Sequence, residues 1–364
     1  MSSNKLKQAL ISGIIRGYRF FTSNRIRQHN EYKPLEVRKI VIFSTTALGD
    51  FMFNTPSIES LWKSYPGTEF TLVSSHKNQT LVEDSKWFSE VIYWDQKINT
   101  LLGVAKYLRA IKPDVIVILH SKSPYDILCA TLSNTRFIFK DAYNEHDLAM
   151  RKWVTSVSEP NFDGHIIERK LSLVKSMGGT INNIQMKLPC TPRKINRSQD
   201  KIVIGFQLGA SERLRQWPVT FFRRLAQLLL LRDDKYEVAL IGSPNERALS
   251  DQFFEGLTEN EQCRIKDYIG RSSLKQLVER ISEFDLLITG DTGPLHLAVA
   301  LRIKTVSLFV TANPAHTGPL QDPSFHTIIR GCPVEAELLD DFPEEPMAII
   351  QPETVLAAIL NIFE

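Results

Sequence analysis

The sequence predicts an α/β protein made of two parallel sheets, each covered by helices on both faces. Three observations carry this. Short apolar runs alternate with amphipathic stretches of helical length along most of the chain, the pattern of parallel sheets with helical crossovers. The alternation occurs twice, on either side of residues 187–200. That stretch holds Pro189, Pro192, Lys187, Arg193, Lys194 and Arg197 and little periodicity, and is the expected linker. At 364 residues the chain is also longer than a single core ordinarily supports.

In the first half, strands are expected at Lys39–Ser44, Phe70–Ser74, Glu90–Trp94, Asp114–Leu119 and Phe137–Phe139. Helical spacing runs over Phe51–Ser64, stopped by Pro66, and over Leu101–Ile111, Ile127–Leu132 and His165–Met177. In the second half the strands are Lys201–Gln207, Glu237–Ile241, Asp285–Thr289 and Thr305–Phe309. Helices are expected at Val219–Leu231, Asn245–Phe254, Leu274–Ile281, Pro294–Leu301 and Pro352–Ile362. The domains are therefore residues 1–36, an N-terminal extension; 37–186, the first α/β domain; 187–200, the linker; and 201–364, the second α/β domain. Two such halves joined by one linker are expected to leave a cleft where a ligand from each can meet.

Charge is uneven. Residues 1–40 carry nine Lys/Arg against Glu31 and Glu36, so +7 of a net +3 sits there and the rest is about −4. Leu6, Leu10, Ile14, Tyr18 and Phe21 recur at three- and four-residue steps among those cations. That makes a basic amphipathic helix, suited either to an anionic membrane surface or to packing on the protein. No apolar run reaches membrane-spanning length, and no secretory leader is evident. Cys129, Cys190, Cys263 and Cys332 are widely spaced and form no CxxC pair, so reduced thiols and a cytoplasmic location are expected. No cluster has metal-ligand spacing, and neither a metal nor another cofactor is expected. Nucleic acid is not expected as a partner.

Five segments fall at the carboxyl ends of predicted strands, the ligand edge of open α/β sheets. Most informative is Gly290-Asp-Thr-Gly293, between a buried strand and a helix beginning near Pro294. Asp291 or Thr292 can cap that helix, and its exposed N–H groups and positive dipole suit a phosphate. His296 can reach a phosphate or sugar hydroxyl, or can pack in the core. In Gly205 to Pro218, Ser211 can donate to a phosphate oxygen, and Arg213 and Arg215 can neutralise its charge. In Gly242-Ser-Pro-Asn-Glu246, Glu246 can bind ribose hydroxyls or simply favour its own helix start. Asp50, after the first strand, can take a proton from an incoming hydroxyl or cap the next helix. Thr311 to Pro319 is a turn-rich loop on the same edge. The G-x-G-x-x-G fingerprint of dinucleotide enzymes is absent.

Ala47-Leu-Gly-Asp50 with Thr55-Pro56, Gly209 to Pro218, Gly242 to Glu246 and Asp291-Thr-Gly-Pro-Leu-His296 together resemble glycosyltransferase family 9, the ADP-heptose:lipopolysaccharide heptosyltransferases. The resemblance implies a GT-B fold, two Rossmann-like domains facing a central cleft, with the donor held by the second. It implies inversion without a metal, Asp50 as general base, and Ser211 and Arg215 on the diphosphate. It also implies Glu246 on the nucleoside, with Asp291, Thr292, Gly293 and His296 at the donor. The acceptor is then an inner-core lipid A precursor at the inner face of the cytoplasmic membrane. Lys77, Lys122 and Arg136 are the basic residues expected to meet its anionic groups, and the basic N-terminus is expected to bring the enzyme to that surface. Departures are Ala210 in place of a hydroxyl, Arg215 where Lys is common, and Val310-Thr-Ala-Asn-Pro314 after the last strand. Two readings stay open beside it: a GT-B transferase using another nucleotide sugar or a protein acceptor, and a non-catalytic nucleotide-sugar-binding protein.

Overall fold

The computed structural model describes residues 3–22, 25–142, 145–159, 162–191, 200–331 and 345–363. Cys332 and most of the expected linker, with Pro192, Arg193, Lys194 and Arg197, lie outside them. The chain forms two compact units, Met1–Gln185 and Met186–Glu364.

The first unit holds β1 (Lys39–Ser44), β2 (Glu69–Ser74), β3 (Glu90–Tyr93), β4 (Val115–His120), β5 (Phe137–Lys140) and β6 (Ser156–Val157). The second holds β7 (Ile202–Gln207), β8 (Tyr236–Ile241), β9 (Ile265–Asp267), β10 (Leu286–Gly290), β11 (Lys304–Phe309) and β12 (His326–Arg330). The sheet orders are β3-β2-β1-β4-β5-β6 and β12-β11-β10-β7-β8-β9. Every pairing is parallel. Counted within its own unit, each sheet has the order 3-2-1-4-5-6. The winding therefore reverses between β1 and β4 in one unit and between β7 and β10 in the other. In open sheets of this kind the carboxyl end of the switch point is where ligands bind.

The central strands are buried on both faces, which is why they read as continuous apolar runs rather than alternating ones. Val41, Phe43, Ile116, Ile118 and Ile138 form one face of the first sheet's core, with Leu101, Ala105, Ile127 and Leu128 from the helices above. On the other face the Leu48–Ser64 helix packs against the Ile166–Ser176 helix. Each unit also ties its first strand down with an aspartate preceding the fourth. The Lys39 N–H donates to Asp114 at 3.0 Å, and the Val203 N–H to Asp285 at 2.8 Å.

The N-terminal extension forms a helix, Ser3–Thr22. It lies along the Tyr125–Leu132 helix, with Lys7 over the Tyr125 ring and the Tyr18 hydroxyl near Leu132 O at the far end. Ile11 and Ile15 are buried beneath it. Arg19 donates to Trp153 O at 3.1 Å and stacks on that indole, whose Nε1–H donates to Ser12. The apolar row read from the sequence mostly faces outward instead. Leu6 is 64 % exposed, Leu10 65 %, Ile14 44 % and Phe21 85 %.

Candidate functional site

In the first unit the candidate site is built on the switch point between β1 and β4. The helix after β1 begins at Leu48, three residues before the sequence pattern implies, so Asp50 sits in its first turn rather than in a loop. Ala47 is the N-cap residue and makes no side-chain cap. Asp50 therefore does not serve as the cap, and as an anion it is favoured there by the helix dipole. Pro56 lies mid-helix and removes the N–H that Met52 O would accept; the Thr55 hydroxyl donates to Met52 O at 2.8 Å instead. The Asp50 side chain is 33 % exposed, and its Oδ1 lies 3.3 Å from His120 Nδ1. His120, a residue that the sequence reading passed over, closes β4 in register with Ser44, the last residue of β1.

Buried charge surrounds this pair. Lys170 is fully buried; its Nζ donates to Leu119 O at 2.5 Å and to Asp141 at 2.9 Å. Arg169 holds both Asp141 oxygens, at 2.8 and 3.1 Å. Burial would raise the Asp141 carboxyl, but Lys170 and Arg169 outweigh it and hold it well below the carboxylate range. Lys140 is likewise buried, between Asp126 and Asp147. Burial, reinforced by Lys170, pushes the His120 imidazole down to about 3, so it is neutral at physiological pH.

Lys77 and Lys122 are exposed and follow β2 and β4, on the same edge as Asp50. Arg136 does not join them. It precedes β5, so it lies at the amino edge of the parallel sheet, where Arg27 N–H donates to its carbonyl and Arg25, Arg27 and Arg136 line one surface pocket.

In the second unit the site is built on the switch point between β7 and β10. Arg215 ends the 3-10 turn Arg213–Arg215. Its guanidinium reaches Asp291 at 3.2 Å and Glu212 at 3.2 Å and remains 32 % exposed. Gly290 is needed at this approach: a Cβ there would lie 2.7 Å from Arg215 O. Asp291 also accepts from Thr317 at 3.4 Å and lies 3.7 Å from the buried His296 Nε2. An anion does not itself seat phosphate; Asp291 stands between Arg215 and His296. Thr317, which the sequence reading did not single out, brings the Thr311–Pro319 loop to the same cluster.

Thr292 is the N-cap residue of the Gly293–Ala300 helix, but its hydroxyl pairs with Thr289 at 2.8 Å and makes no cap bond. Pro294 is the second helical residue, and the Leu295 N–H donates to Thr292 O. Ser211 is exposed in the preceding loop. That loop is anchored by Trp217, buried against Phe222 and donating to Ile350 O at 2.8 Å. Glu246 caps its own turn, accepting from Ser243 N–H at 2.7 Å and from Gln207 at 3.3 Å. Burial raises its carboxyl. Gly209 and Gly242 make room for it, since a Cβ on either would lie 2.3 Å from a carboxylate oxygen. Among the described residues, no group of three or more His, Cys, Asp or Glu could hold a metal ion.

The model of glycosyltransferase family 9 (heptosyltransferase) matches residues 130–337, more than half of the chain. The chain belongs to glycosyltransferase family 9. It is a glycosyltransferase, and its two Rossmann-like units are those of the GT-B architecture. The chain is 24 % identical over 291 residues to lipooligosaccharide heptosyltransferase 2 of Campylobacter jejuni subsp. jejuni serotype O:6, covering 78 % of this chain and 85 % of that one. Two solved structures share the fold. A family 9 glycosyltransferase from Veillonella parvula superposes with a TM-score of 0.76 at 20 % identity, over 91 % of this chain and 98 % of that one. The ADP-heptose lipopolysaccharide heptosyltransferase II of Escherichia coli gives 0.72 at 20 % identity, over 89 % and 98 %.

Proposed function

We propose that this family 9 enzyme moves a heptose from ADP-heptose to a hydroxyl on the inner core of a lipopolysaccharide, with inversion and without a metal. One observation carries the reading: an acidic group stands at the switch point of the first sheet and a cationic, hydroxyl-bearing cradle at that of the second. The relatives' names supply the donor and acceptor class. In the reaction, the acceptor oxygen forms a bond to the anomeric carbon as that carbon's bond to the diphosphate breaks. Asp50 takes the hydroxyl proton. The transition state has oxocarbenium character, and ADP leaves with its bond electrons. Arg215, Ser211 and the Thr292 and Gly293 N–H groups receive the growing charge, and His296 and Glu246 contact the sugar and nucleoside.

Arg215→Ala is expected to weaken ADP binding by roughly 10-fold, since a charge-assisted hydrogen bond contributes about 1.5–3 kcal/mol before allowance for partial exposure. Calorimetric titration with ADP measures it, and an unchanged affinity removes Arg215 from the diphosphate site.

The enzyme is further proposed to sit on the inner face of the cytoplasmic membrane through its N-terminal helix. No helix among the described residues is long and apolar enough to cross a bilayer. Leu6, Leu10, Ile14 and Phe21 form an outward apolar row beside Lys5, Arg16, Arg25 and Arg27. Ile98 and Leu102, from a helix on the same face of the sheet, are also exposed. Lys77 and Lys122, exposed after β2 and β4, meet the acceptor's anionic groups in this reading. Each buried Leu or Ile side chain contributes about 1.5–3 kcal/mol, so Leu10→Glu with Ile14→Glu should cut partitioning onto anionic vesicles at least ~100-fold. Equal co-sedimentation of the variant and the parent would exclude the helix as the anchor.

A further inference from the structure

We infer that His120 is a positioning residue for the reaction: its Nδ1 side holds the Asp50 carboxylate facing the incoming acceptor hydroxyl. This rests on the reading of Asp50 as the base.

Geometry comes first. His120 Nδ1 lies 3.3 Å from Asp50 Oδ1, with the imidazole 12 % exposed and the carboxylate 33 % exposed. The histidine is thus fixed in the protein while the carboxylate still reaches solvent, where an acceptor would arrive. The backbone that carries the ring is held from both sides of the switch point. Thr45 N–H donates to His120 O at 3.0 Å, which joins it to the chain leaving β1. Lys170 grips the carbonyl of the residue before it. Thr45 is itself tied to Ser121 at 2.9 Å, and Gln96 accepts from Lys122 N–H at 2.7 Å, so the residues that follow His120 are pinned as well.

Charge decides how the histidine acts. The groups facing it are Lys170 and Arg169 from the Ile166–Ser176 helix, Lys140 and Asp141 at the end of β5, and Asp50 from the Leu48–Ser64 helix. Burial and the three cations keep the ring neutral. The 3.3 Å approach lies outside hydrogen-bond geometry in this structure; a neutral imidazole carries one N–H, and with that proton on Nδ1 a small turn of the ring brings it onto the Asp50 carboxylate. A cationic partner would stabilise the ionised carboxylate and make it a poorer base. A neutral donor orients the base at much smaller cost to its basicity. Lys170, which also acts on Asp50, and Arg169 add to burial in keeping the ring uncharged.

The test compares His120→Asn, His120→Gln and His120→Ala with ADP-heptose as donor and a purified lipid A–core acceptor. Asn places an amide N–H where Nδ1 stands; Gln places one near Nε2. His120→Ala is expected to lower kcat by about 10- to 100-fold, the scale of a misplaced catalytic group, with the KM for ADP-heptose unchanged. His120→Asn should recover to within about threefold of the parent, and His120→Gln should not. The pH profile of kcat for His120→Asn should keep the parent's acid limb, because the histidine is not the titrating group. Parental kcat in His120→Ala overturns the proposal. So does His120→Asn as impaired as His120→Gln with its fold intact by near-ultraviolet circular dichroism. If His120→Ala does not fold, the Asn–Gln contrast still decides. Failure of the underlying reading looks different: Asp50→Asn would then keep its turnover, whatever the histidine variants do.

Discussion

Asp50→Asn is expected to lower kcat by ~10²–10⁴-fold, the usual contribution of a positioned general base, with ADP affinity unchanged. The substitution keeps the side chain's shape in the first turn of its helix and removes only its ability to accept the acceptor's proton. Steady-state transfer with ADP-heptose and titration with ADP separate the two quantities. The groups that bind ADP in this account all belong to the second unit. A fall in ADP affinity would therefore point to misfolding or to a misassigned site. Turnover at the parental rate in a folded variant would remove Asp50 from the chemistry.

The largest effect on stability is expected at Asp141. This carboxylate compensates Lys170, which is fully buried, and Arg169, whose side chain is 14 % exposed. Asp141→Ala leaves a buried ammonium without its partner, which costs about 3–5 kcal/mol. Denaturant unfolding measures it, and a loss below ~1 kcal/mol would contradict the account. Adding Lys170→Met to Asp141→Ala should restore much of the loss, because an apolar residue of similar volume avoids the desolvation of a lone charge.

The pH dependence follows from the same cluster. The Asp141 carboxyl is depressed in the folded state, so its contribution is complete above the unfolded value of ~3.9 and is lost as pH falls below it. His120 acts in the same direction for another reason. It is buried neutral and titrates only at about 3. The unfolded chain takes up that proton near pH ~6.5, so stability declines from there downward. His326, lowered to about 4 by burial, adds to the same slope. Denaturation midpoints between pH 7 and 4 should fall steadily, and less steeply in His120→Asn.

Much of the fold was legible because burial on both faces forces the central strands into plain apolar runs. The bounds of β1, β4, β7, β10 and β11 differ from their sequence patterns by a residue at most. Of the four edge strands only β3 was legible. β6 is two residues long, β9 is three, and β12 is only partly buried, so none carries a sustained apolar signal. Gly49 reads as a turn residue, yet it lies inside the first helical turn, where packing of the following residues overrides its local preference.

For the candidate site, the glycine-bounded strand-to-helix turns pointed to the carboxyl edge of each sheet. Sequence could not show which side chains touch. His120 was not legible as a site residue because the apolar run of β4 ends at Leu119 and the next charged residue in sequence is Lys122. A polar residue ending a strand that flanks the switch point was the available signal. Arg136 stands just before the expected Phe137–Phe139 strand, which in a parallel sheet already puts it on the amino edge, away from Asp50. The outward row of the N-terminal helix was read correctly as apolar. The second row, Ile11 and Ile15, that seats it was hidden within the same amphipathic pattern.

The most direct test of the account is the product itself. Purified protein is given ADP-heptose and a lipid A–core acceptor, and the product is analysed by mass spectrometry and by nuclear magnetic resonance of the new anomeric centre. The account predicts an acceptor heavier by one heptose unit, with anomeric configuration opposite to that of the donor. An acceptor left unchanged while another nucleotide sugar is consumed, or a product that keeps the donor's configuration, would contradict it.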